Sequence, residues 1–265
     1  MPIITDLPYL FLIDAALVAA MMLGAWVHSL LTKDASWADF FWGLGFVLVA
    51  LAGYVLTPGH ALRKQLMLAL TALWGLRLAA YIYLRKRGAG EDFRYQAMRK
   101  KHGEKFAWVS LFTVFGLQGA LLLIIALPQQ ATMVAPTPTN LTFLDILGTA
   151  IFFLGFGCEA IADIQMARFK RNPANRSKVM DHGLWRYSRH PNYFGEAVLW
   201  WGLYLIALSN SGHWWVVISP VLITFLLLRV SGVPLLEEGL TQRREGYAEY
   251  VRRTRVFVPW FPRKN

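Results

Sequence analysis

The sequence contains a single cysteine, Cys158, among 265 residues. One cysteine excludes an intramolecular disulfide framework and any cysteine-rich metal site. Cys158 lies within the apolar run "ILGTAIFFLGFGCEA", where we expect it to pack against neighbouring side chains rather than act as a nucleophile. We predict no metal cofactor.

The N-terminus lacks the features of a cleaved signal peptide. It has no basic segment, and the long apolar run that follows Asp6 lacks an A-x-A cleavage site. We therefore interpret residues 9–31 as a retained first membrane span.

Apolar residues dominate the composition. They make up 56% of the chain, which also has eleven tryptophans and a mean hydropathy of +0.39, whereas soluble domains are about 45–50% apolar. The net charge is +11, but the basic residues lie between apolar segments, so membrane topology explains them better than a nucleic-acid partner. The composition therefore indicates an integral membrane protein.

A membrane-crossing helix needs about 20 mostly apolar residues. Seven predicted spans meet this requirement: 9–31, 38–57, 66–84, 107–127, 142–166, 193–209 and 213–231. We therefore predict an all-α membrane protein in which residues 1–265 form one domain of seven transmembrane helices.

Lysine and arginine are absent from two loops, "PQQATMVAPTPTNL" and "SNSGH". They are abundant in 85–106, in 168–190 and in the tail from Arg229, which contain eight, seven and eight. Positive charge therefore alternates between loops and predicts a cytoplasmic C-terminus and an external N-terminus. Arg63 and Lys64 fall on the outer side and disagree with this orientation.

The densest polar stretch, "GLWRYSRHPNYFGE", immediately precedes the apolar part of the sixth span. If a helix begins near Pro191, which suits a first helical turn, Asn192 and Glu196 share one of its faces. Glu159 and Asp163 have the same spacing on the fifth span. Ionisable groups at membrane depth are costly, so each marks a functional site by default.

This mixture of groups suits a dinucleotide. Arginines bind phosphate oxygens, acids and amides bind sugar hydroxyls, and aromatic rings such as Tyr187 stack on heterocycles. The alternative is a charge network that closes the cytoplasmic ends of the fifth and sixth helices. The segment "GFGCEA" at 155–160 also fits the dinucleotide pattern G-x-G-x-x-A, but it lies inside an apolar span instead of a strand–helix turn. We expect those glycines to allow close helix approach.

Three segments resemble the membrane-bound steroid 5α-reductases in their bacterial form: "DHGLWRYSRHPNYFGEAVLWWG", "RFKRNP" after Asp163, and "LLEEGLTQRREGYAEYVRRTRVFVPWFP". The resemblance covers about residues 150–261. It implies a seven-helix protein of the bacterial inner membrane that uses NADPH to reduce the 4,5 double bond of 3-oxo-4-ene steroids by hydride transfer to C5. The cofactor pocket is then cytoplasmic and built from helices 5–7 and their loops.

Carried over residue by residue, the resemblance assigns the family's Asn and Glu to Asn192 and Glu196 and its aspartate to Asp163. The basic residue that meets phosphate is Lys170 or Arg171, and Glu159 replaces an asparagine of the animal enzymes. The full predicted cofactor set is Glu159, Asp163, Lys170, Arg171, Arg186, Tyr187, His190, Asn192 and Glu196. The family's late His and Tyr are not matched, and Arg229, Glu237 and Glu238 are candidates to replace them.

The family also needs a hydrogen-bond donor at the enone oxygen, which the animal enzymes provide with a Gln-Glu pair on helix two and a Tyr on helix three. This sequence lacks that pair, so we predict Asp39, protonated by burial, together with Tyr95 or Tyr81. The alternative for Asp39 is an ordinary residue at the start of a helix. Residues 1–127 form the predicted substrate half and 128–265 the cofactor half, in a monomer whose hydrophobic enone substrate enters from the lipid.

The same "RHPNYFGE" and late "EE…Y…Y" pattern also resembles isoprenylcysteine carboxyl methyltransferases, which bind S-adenosylmethionine. The block 85–106 and Asp163 with its basic run favour the reductase. A transporter or receptor is a third alternative, but polar residues cluster at one end of the predicted bundle.

Overall fold

The fold is all-α throughout the part of the chain that the structure describes. This computed structural model describes residues 4–88, 90–230, 232, 233, 237, 240 and 244–263. The α-helices are α1 (Leu7–Thr32), α2 (Trp37–Leu56), α3 (Ala61–Lys86), α4 (Phe93–His102), α5 (Phe106–Ser110), α6 (Leu117–Ile125), α7 (Leu127–Val134), α8 (Phe143–Arg171), α9 (Pro191–Leu208), α10 (Ile218–Phe225) and α11 (Tyr247–Arg253). Leu111–Gly116 and Leu226–Val230 are π-helical, and Gly103–Lys105, Pro173–Asn175, Gly183–Arg186 and Ser211–Val217 are 3-10 turns.

Six helical segments among the described residues are long and apolar enough to cross a membrane. They are Leu7–Thr32, Trp37–Leu56, Ala61–Lys86, Phe93–Ile125, Phe143–Arg171 and Gly212–Val230. The predicted span 193–209 corresponds to α9, which is helical for 18 residues but begins with polar groups and is not among the six. Membrane character is therefore confirmed, whereas the count of seven stays a prediction.

The chain divides into two compact units. The first comprises Met1–Asp145 with Ile206–Val216, and the second comprises Ile146–Leu205 with Val217–Asn265. In the first unit, α2 packs on α3 where two glycines meet, because a Cβ on Gly43 would lie 2.6 Å from the carbonyl oxygen of Gly75. The functional halves predicted from the sequence, residues 1–127 and 128–265, stay a prediction.

Arg63 and Lys64 are buried, which removes their disagreement with the loop charges. Arg63 Nε donates to Asp145 Oδ1 at 2.8 Å. The Lys64 ammonium donates to the carbonyl of Thr57 and lies 5.2 Å from the centroid of the Tyr54 ring. Both cations are bound inside the first unit, so they do not act as the free loop charges that orient a membrane protein.

In the second unit, α8 and α9 approach closely through glycines. A Cβ on Gly155 would lie 2.4 Å from the Leu199 nitrogen, and one on Gly202 would lie 2.6 Å from the Gly148 oxygen. Gly155 belongs to "GFGCEA", so the prediction that this segment allows close helix approach is confirmed. A Cβ added to Gly157, by contrast, would have no heavy atom within 4 Å.

Candidate functional site

Four of the predicted cofactor residues lie where the start of α9 packs against α8. Two of them are on α9 and two are on α8. Asn192 Nδ2 donates to Asp163 Oδ1 at 3.3 Å. One turn further along each helix axis, Glu196 and Glu159 are buried, as is Asp163. The two backbones touch here, because a Cβ on Gly195 would lie 2.5 Å from the Glu159 nitrogen. The pairs with four-residue spacing therefore meet at the α8–α9 contact.

Two atoms of this group are buried without a hydrogen-bond partner among the described residues. They are Asn192 Oδ1 and His190 Nδ1. An unsatisfied buried polar atom costs about 1–3 kcal/mol. A ligand that supplied partners for these two atoms would recover part of that cost.

A polar network joins the loop before α9 to the C-terminal segment. Arg189 Nε donates to Glu237 Oε1 at 2.7 Å, and His190 Nε2 lies 2.8 Å from the same oxygen. Arg189 Nη1 also donates to the Thr254 carbonyl at 2.9 Å. Arg189 therefore holds the C-terminal segment in place, and Glu237 orients His190.

Glu237 was one of three candidates for the late contacts that the family pattern lacks here. Of the other two, Arg229 is exposed and Glu238 lies outside the described residues. The contact between Glu237 and His190 joins residues 47 positions apart. The acidic pair "EE" after the last span was the available sequence signal for it.

The carboxylate of Glu237 should make the stability of the fold depend on pH in the acidic range. Burial alone would raise the pKa of Glu237, but hydrogen bonds from His190 and Arg189 and their charge outweigh it and lower the pKa from 4.5 to about 2. A lowered folded-state pKa stabilises the fold above pH 4.5, and this contribution is lost as the pH falls towards 2. We expect the free energy of unfolding of wild type to exceed that of Glu237→Gln by about 2–3 kcal/mol at pH 7. The difference should disappear near pH 2. Thermal melts of both proteins across this pH range measure the difference, and a gap independent of pH would contradict the assignment.

The three basic residues of the predicted cofactor set, Lys170, Arg171 and Arg186, are exposed. Lys170 and Arg171 form the last turn of α8. The 3-10 turn that carries Arg186 packs on α8, because Trp185 Nε1 donates to the Ala162 carbonyl at 3.1 Å. Cations therefore lie about two turns beyond Asp163 on the same helix, and another lies on the turn packed against that helix.

Tyr187, predicted to stack on a heterocycle, is half-buried. Its ring centroid lies 5.9 Å from that of Phe261 in an edge-to-face arrangement. His190 stacks on Tyr193, with centroids 5.7 Å apart and planes 9° from parallel. Aromatic faces therefore border the polar group on the side of α9 and of the C-terminal segment.

The two predicted catalytic residues meet in the first unit. Tyr95 Oη donates to Asp39 Oδ1 at 2.7 Å, and Arg94 Nη2 donates to Asp39 Oδ2 at 2.6 Å. Gln118 Nε2 lies 3.3 Å from Tyr95 Oη and 3.5 Å from Asp39 Oδ1. Asp39 accepts in these contacts, although we expected it to donate, and the hydroxyl hydrogen belongs to Tyr95. Tyr81, the other candidate, lies 5.8 Å below the guanidinium of Arg85.

Gln118 and Arg94 were not singled out in the sequence. Gln118 lies 79 residues from Asp39 along the chain, so no local spacing linked them. Asp39 also lines a cavity of about 280 Å³, whose walls include Arg85, Lys86 and Asp92. Asp39 therefore borders space that a small polar group can enter. It belongs to the first unit, whereas the nine predicted cofactor residues belong to the second.

One family model matches most of the chain. The family model described as "Protein of unknown function (DUF1295)" matches residues 25–254. An uncharacterized protein of Schizosaccharomyces pombe is 29% identical over 218 residues, which cover 70% of this chain and 61% of the yeast protein. A probable O-methyltransferase of Ustilaginoidea virens is 33% identical over 98 residues, which cover 36% of this chain and 32% of that protein. The chain therefore spans less than two thirds of either relative, and no solved structure matches it.

Proposed function

The chain belongs to the DUF1295 family, and we propose that it is an NADPH-dependent membrane reductase of hydrophobic enones. The reaction proposed is reduction of the 4,5 double bond of a 3-oxo-4-ene steroid or a similarly flat substrate. NADPH, when bound, supplies the hydride that adds to C5.

One observation carries the proposal: buried acids of α8 lie beside the Asn192 amide of α9 and about two turns from exposed cations at the end of α8. Asp163 is buried and bonded to Asn192, and Lys170 follows it by seven residues, about 10 Å along the helix axis. Acids and amides bind ribose hydroxyls and a carboxamide, whereas cations bind phosphates. S-adenosylmethionine has no phosphate and offers these cations only its single α-carboxylate, whereas NADPH offers them several phosphate oxygens.

The residues present fit a nicotinamide dinucleotide. Asn192 Oδ1 is buried without a partner among the described residues, and it can accept a hydrogen bond from a ribose hydroxyl or a carboxamide. Glu196 and Glu159 provide further buried acceptors nearby. Lys170 and Arg171 would hold phosphate oxygens, including the 2′-phosphate that distinguishes NADPH from NADH.

The cluster of Tyr95, Asp39, Arg94 and Gln118 is the proposed source of electrophilic assistance. When hydride adds at C5, negative charge develops on the enone oxygen, and a donor positioned there lowers the barrier. We propose that the Tyr95 hydroxyl turns its hydrogen from Asp39 to this oxygen when substrate binds. Arg94 then holds Asp39, and Gln118 donates to the hydroxyl oxygen of Tyr95. A proton from water then adds at C4 and restores the carbonyl.

The proposal includes a location. The family resemblance and the alternating loop charges favour the bacterial inner membrane, with the N-terminus outside, the C-terminus inside and a cytoplasmic cofactor pocket. Large apolar side chains such as Leu31, Phe112 and Leu154 are exposed along the candidate spans, which suits contact with lipid. We propose a monomer that binds membrane lipids and no nucleic acid.

Cofactor binding tests the proposal directly. We expect NADPH to raise the melting temperature of the detergent-purified protein saturably, because a ligand that binds only the native state stabilises it. Glu196→Gln should weaken NADPH binding about tenfold or more, since it removes a charged acceptor from the buried group. The measurement is a titration of the melting temperature with NADPH, checked by fluorescence of the bound dihydronicotinamide.

The exposed Glu104→Gln is the matched control and should bind NADPH as wild type does. Neutralising Lys170 and Arg171 together should weaken the binding of NADPH more than the binding of NADH. Lys33→Gln, at an exposed residue of the first unit, should change the binding of neither cofactor. If NADPH does not raise the melting temperature of the wild-type protein, the proposed reductase activity is wrong.

A second candidate is an S-adenosylmethionine-dependent methyltransferase of the isoprenylcysteine carboxyl type. The observation that favours it is the similarity to a probable O-methyltransferase over 98 residues. In that case Asp163 and Glu196 would bind the ammonium and ribose of the cofactor. Stabilisation by S-adenosylmethionine without any effect of NADPH would select this candidate.

A further inference from the structure

A carboxylate inside the first membrane helix belongs to neither proposed cluster. Asp14 lies in the buried face of α1 with Leu10, Val18 and Met22, at four-residue spacing. It is 0% exposed, and both of its oxygens lack a hydrogen-bond partner among the described residues. A charged group at membrane depth without partners costs several kcal/mol and marks a functional site by default.

Contacts on either side fix the height of Asp14 in the first unit. Above it, Leu10 and Met133 meet at Gly53, where an added Cβ would lie 3.7 Å and 2.7 Å from their side chains. Below it, a Cβ on Gly119 would lie 3.4 Å from both Val18 and Met22. Along the helix axes, Asp14 therefore lies at the same height as the part of the chain between Gly119 and Met133.

The helix is broken in that interval. α6 ends at Ile125, Ala126 has a ψ of 0°, and α7 begins at Leu127. Pro128 lacks the N–H that would continue the ladder of hydrogen bonds. The Ile124 carbonyl, at the level of Asp14, therefore lacks the helical donor that residue 128 would otherwise provide.

Two glutamines beside the break add further oxygens. Gln130 Nε2 donates to the Leu123 carbonyl at 3.1 Å, which folds the amide back onto the break. Gln129 Nε2 donates to Thr71 Oγ1 at 3.2 Å. The Oε1 atoms of both glutamines are buried without a partner among the described residues. With Asp14 they make four buried oxygens that accept no hydrogen bond.

We propose that these oxygens bind a sodium ion. Carboxylate and carbonyl oxygens are the ligands of hard cations, and broken membrane helices use half-helix C-termini and free carbonyls to coordinate Na⁺. One carboxylate balances one monovalent charge, so the occupied site is neutral. The site lies in the first unit and is independent of the proposed reductase activity.

Melting temperatures of the purified protein test the site, with NaCl replacing choline chloride at constant ionic strength. At a tenfold excess over its half-saturating concentration, Na⁺ should raise the melting temperature by roughly 3–5 °C. Protons compete for Asp14, so more Na⁺ should be needed at pH 6 than at pH 8. Asp14→Asn should fold, because its amide can donate to the glutamine oxygens, and it should show no response to Na⁺.

Asp6→Asn makes the same chemical change at an exposed residue just before α1 and should respond as wild type does. Gln130→Met should fold with a half-saturating Na⁺ concentration raised about tenfold, which corresponds to one lost ligand. A wild-type melting temperature that follows pH but not Na⁺, or an equal Na⁺ response in Asp14→Asn, overturns the proposal.

Discussion

Tyr95→Phe is expected to lower kcat for enone reduction by about 10²–10³-fold, which is the usual effect of removing one preorganised donor from a developing oxyanion. The hydroxyl of Tyr95 donates to Asp39 at 2.7 Å, and Gln118 lies 3.3 Å from it. These contacts fix the position of the hydroxyl oxygen before substrate arrives, and its hydrogen then turns from Asp39 to the enone oxygen. Because the interaction strengthens as charge develops, kcat should fall more than KM rises. Steady-state oxidation of NADPH with a 3-oxo-4-ene substrate measures both constants.

Tyr81→Phe is the matched control, since it removes a hydroxyl from the tyrosine that the sequence offered as the alternative. It should leave kcat within about twofold of wild type, a change of less than about 0.5 kcal/mol in the barrier. The opposite result, a large loss in Tyr81→Phe and none in Tyr95→Phe, would reverse the assignment. NADPH should stabilise both variants as it does wild type, which separates this test from that of cofactor binding.

Asp39 is a positioning residue in this scheme, because it holds the hydroxyl of Tyr95. Asp39→Asn should therefore reduce kcat less than Tyr95→Phe does. An amide at residue 39 can still accept from Tyr95 but loses its ion pair with Arg94. A loss in Asp39→Asn that exceeds that of Tyr95→Phe would instead make the carboxylate the group that acts on substrate.

Short-range spacing predicted which polar residues of the second unit share a helix face. Asn192 with Glu196, and Glu159 with Asp163, are four residues apart, and helical geometry puts each pair on one face. The structure adds the contact between the faces, which depends on Gly195 meeting the backbone of Glu159. That approach follows from the absence of side chains on glycine, a feature already visible in the sequence.

Contacts between distant residues could not be predicted in the same way. Gln118 lies 79 residues from Asp39, and Asp145 lies 82 residues from Arg63. Periodicity shows which face of a helix is apolar, but it does not show which helix packs against it. Asp14 was missed for a related reason, because one acid does not interrupt a long apolar run.

Asp145→Asn is expected to destabilise the protein by about 3–5 kcal/mol, the usual cost of breaking a buried ion pair from one side. Arg63 and Asp145 are each 1% exposed and bond through two atoms of each, at 2.8 Å and 3.0 Å. Arg63 also donates to the Pro138 and Asn140 carbonyls. Arg63 therefore ties the start of α3 to the first turn of α8 and to the segment before it. Melting temperatures and chemical unfolding in detergent measure the loss.

Glu249→Gln provides the comparison, because its ion pair with Arg252 is exposed, and it should cost less than about 1 kcal/mol. The double variant Arg63→Met with Asp145→Asn should be more stable than Asp145→Asn alone, since it removes the uncompensated buried guanidinium. Recovery should be incomplete, because the Pro138 and Asn140 carbonyls then lose their donor. Equal stability of the two variants would mean that Arg63 does not remain charged and buried without Asp145.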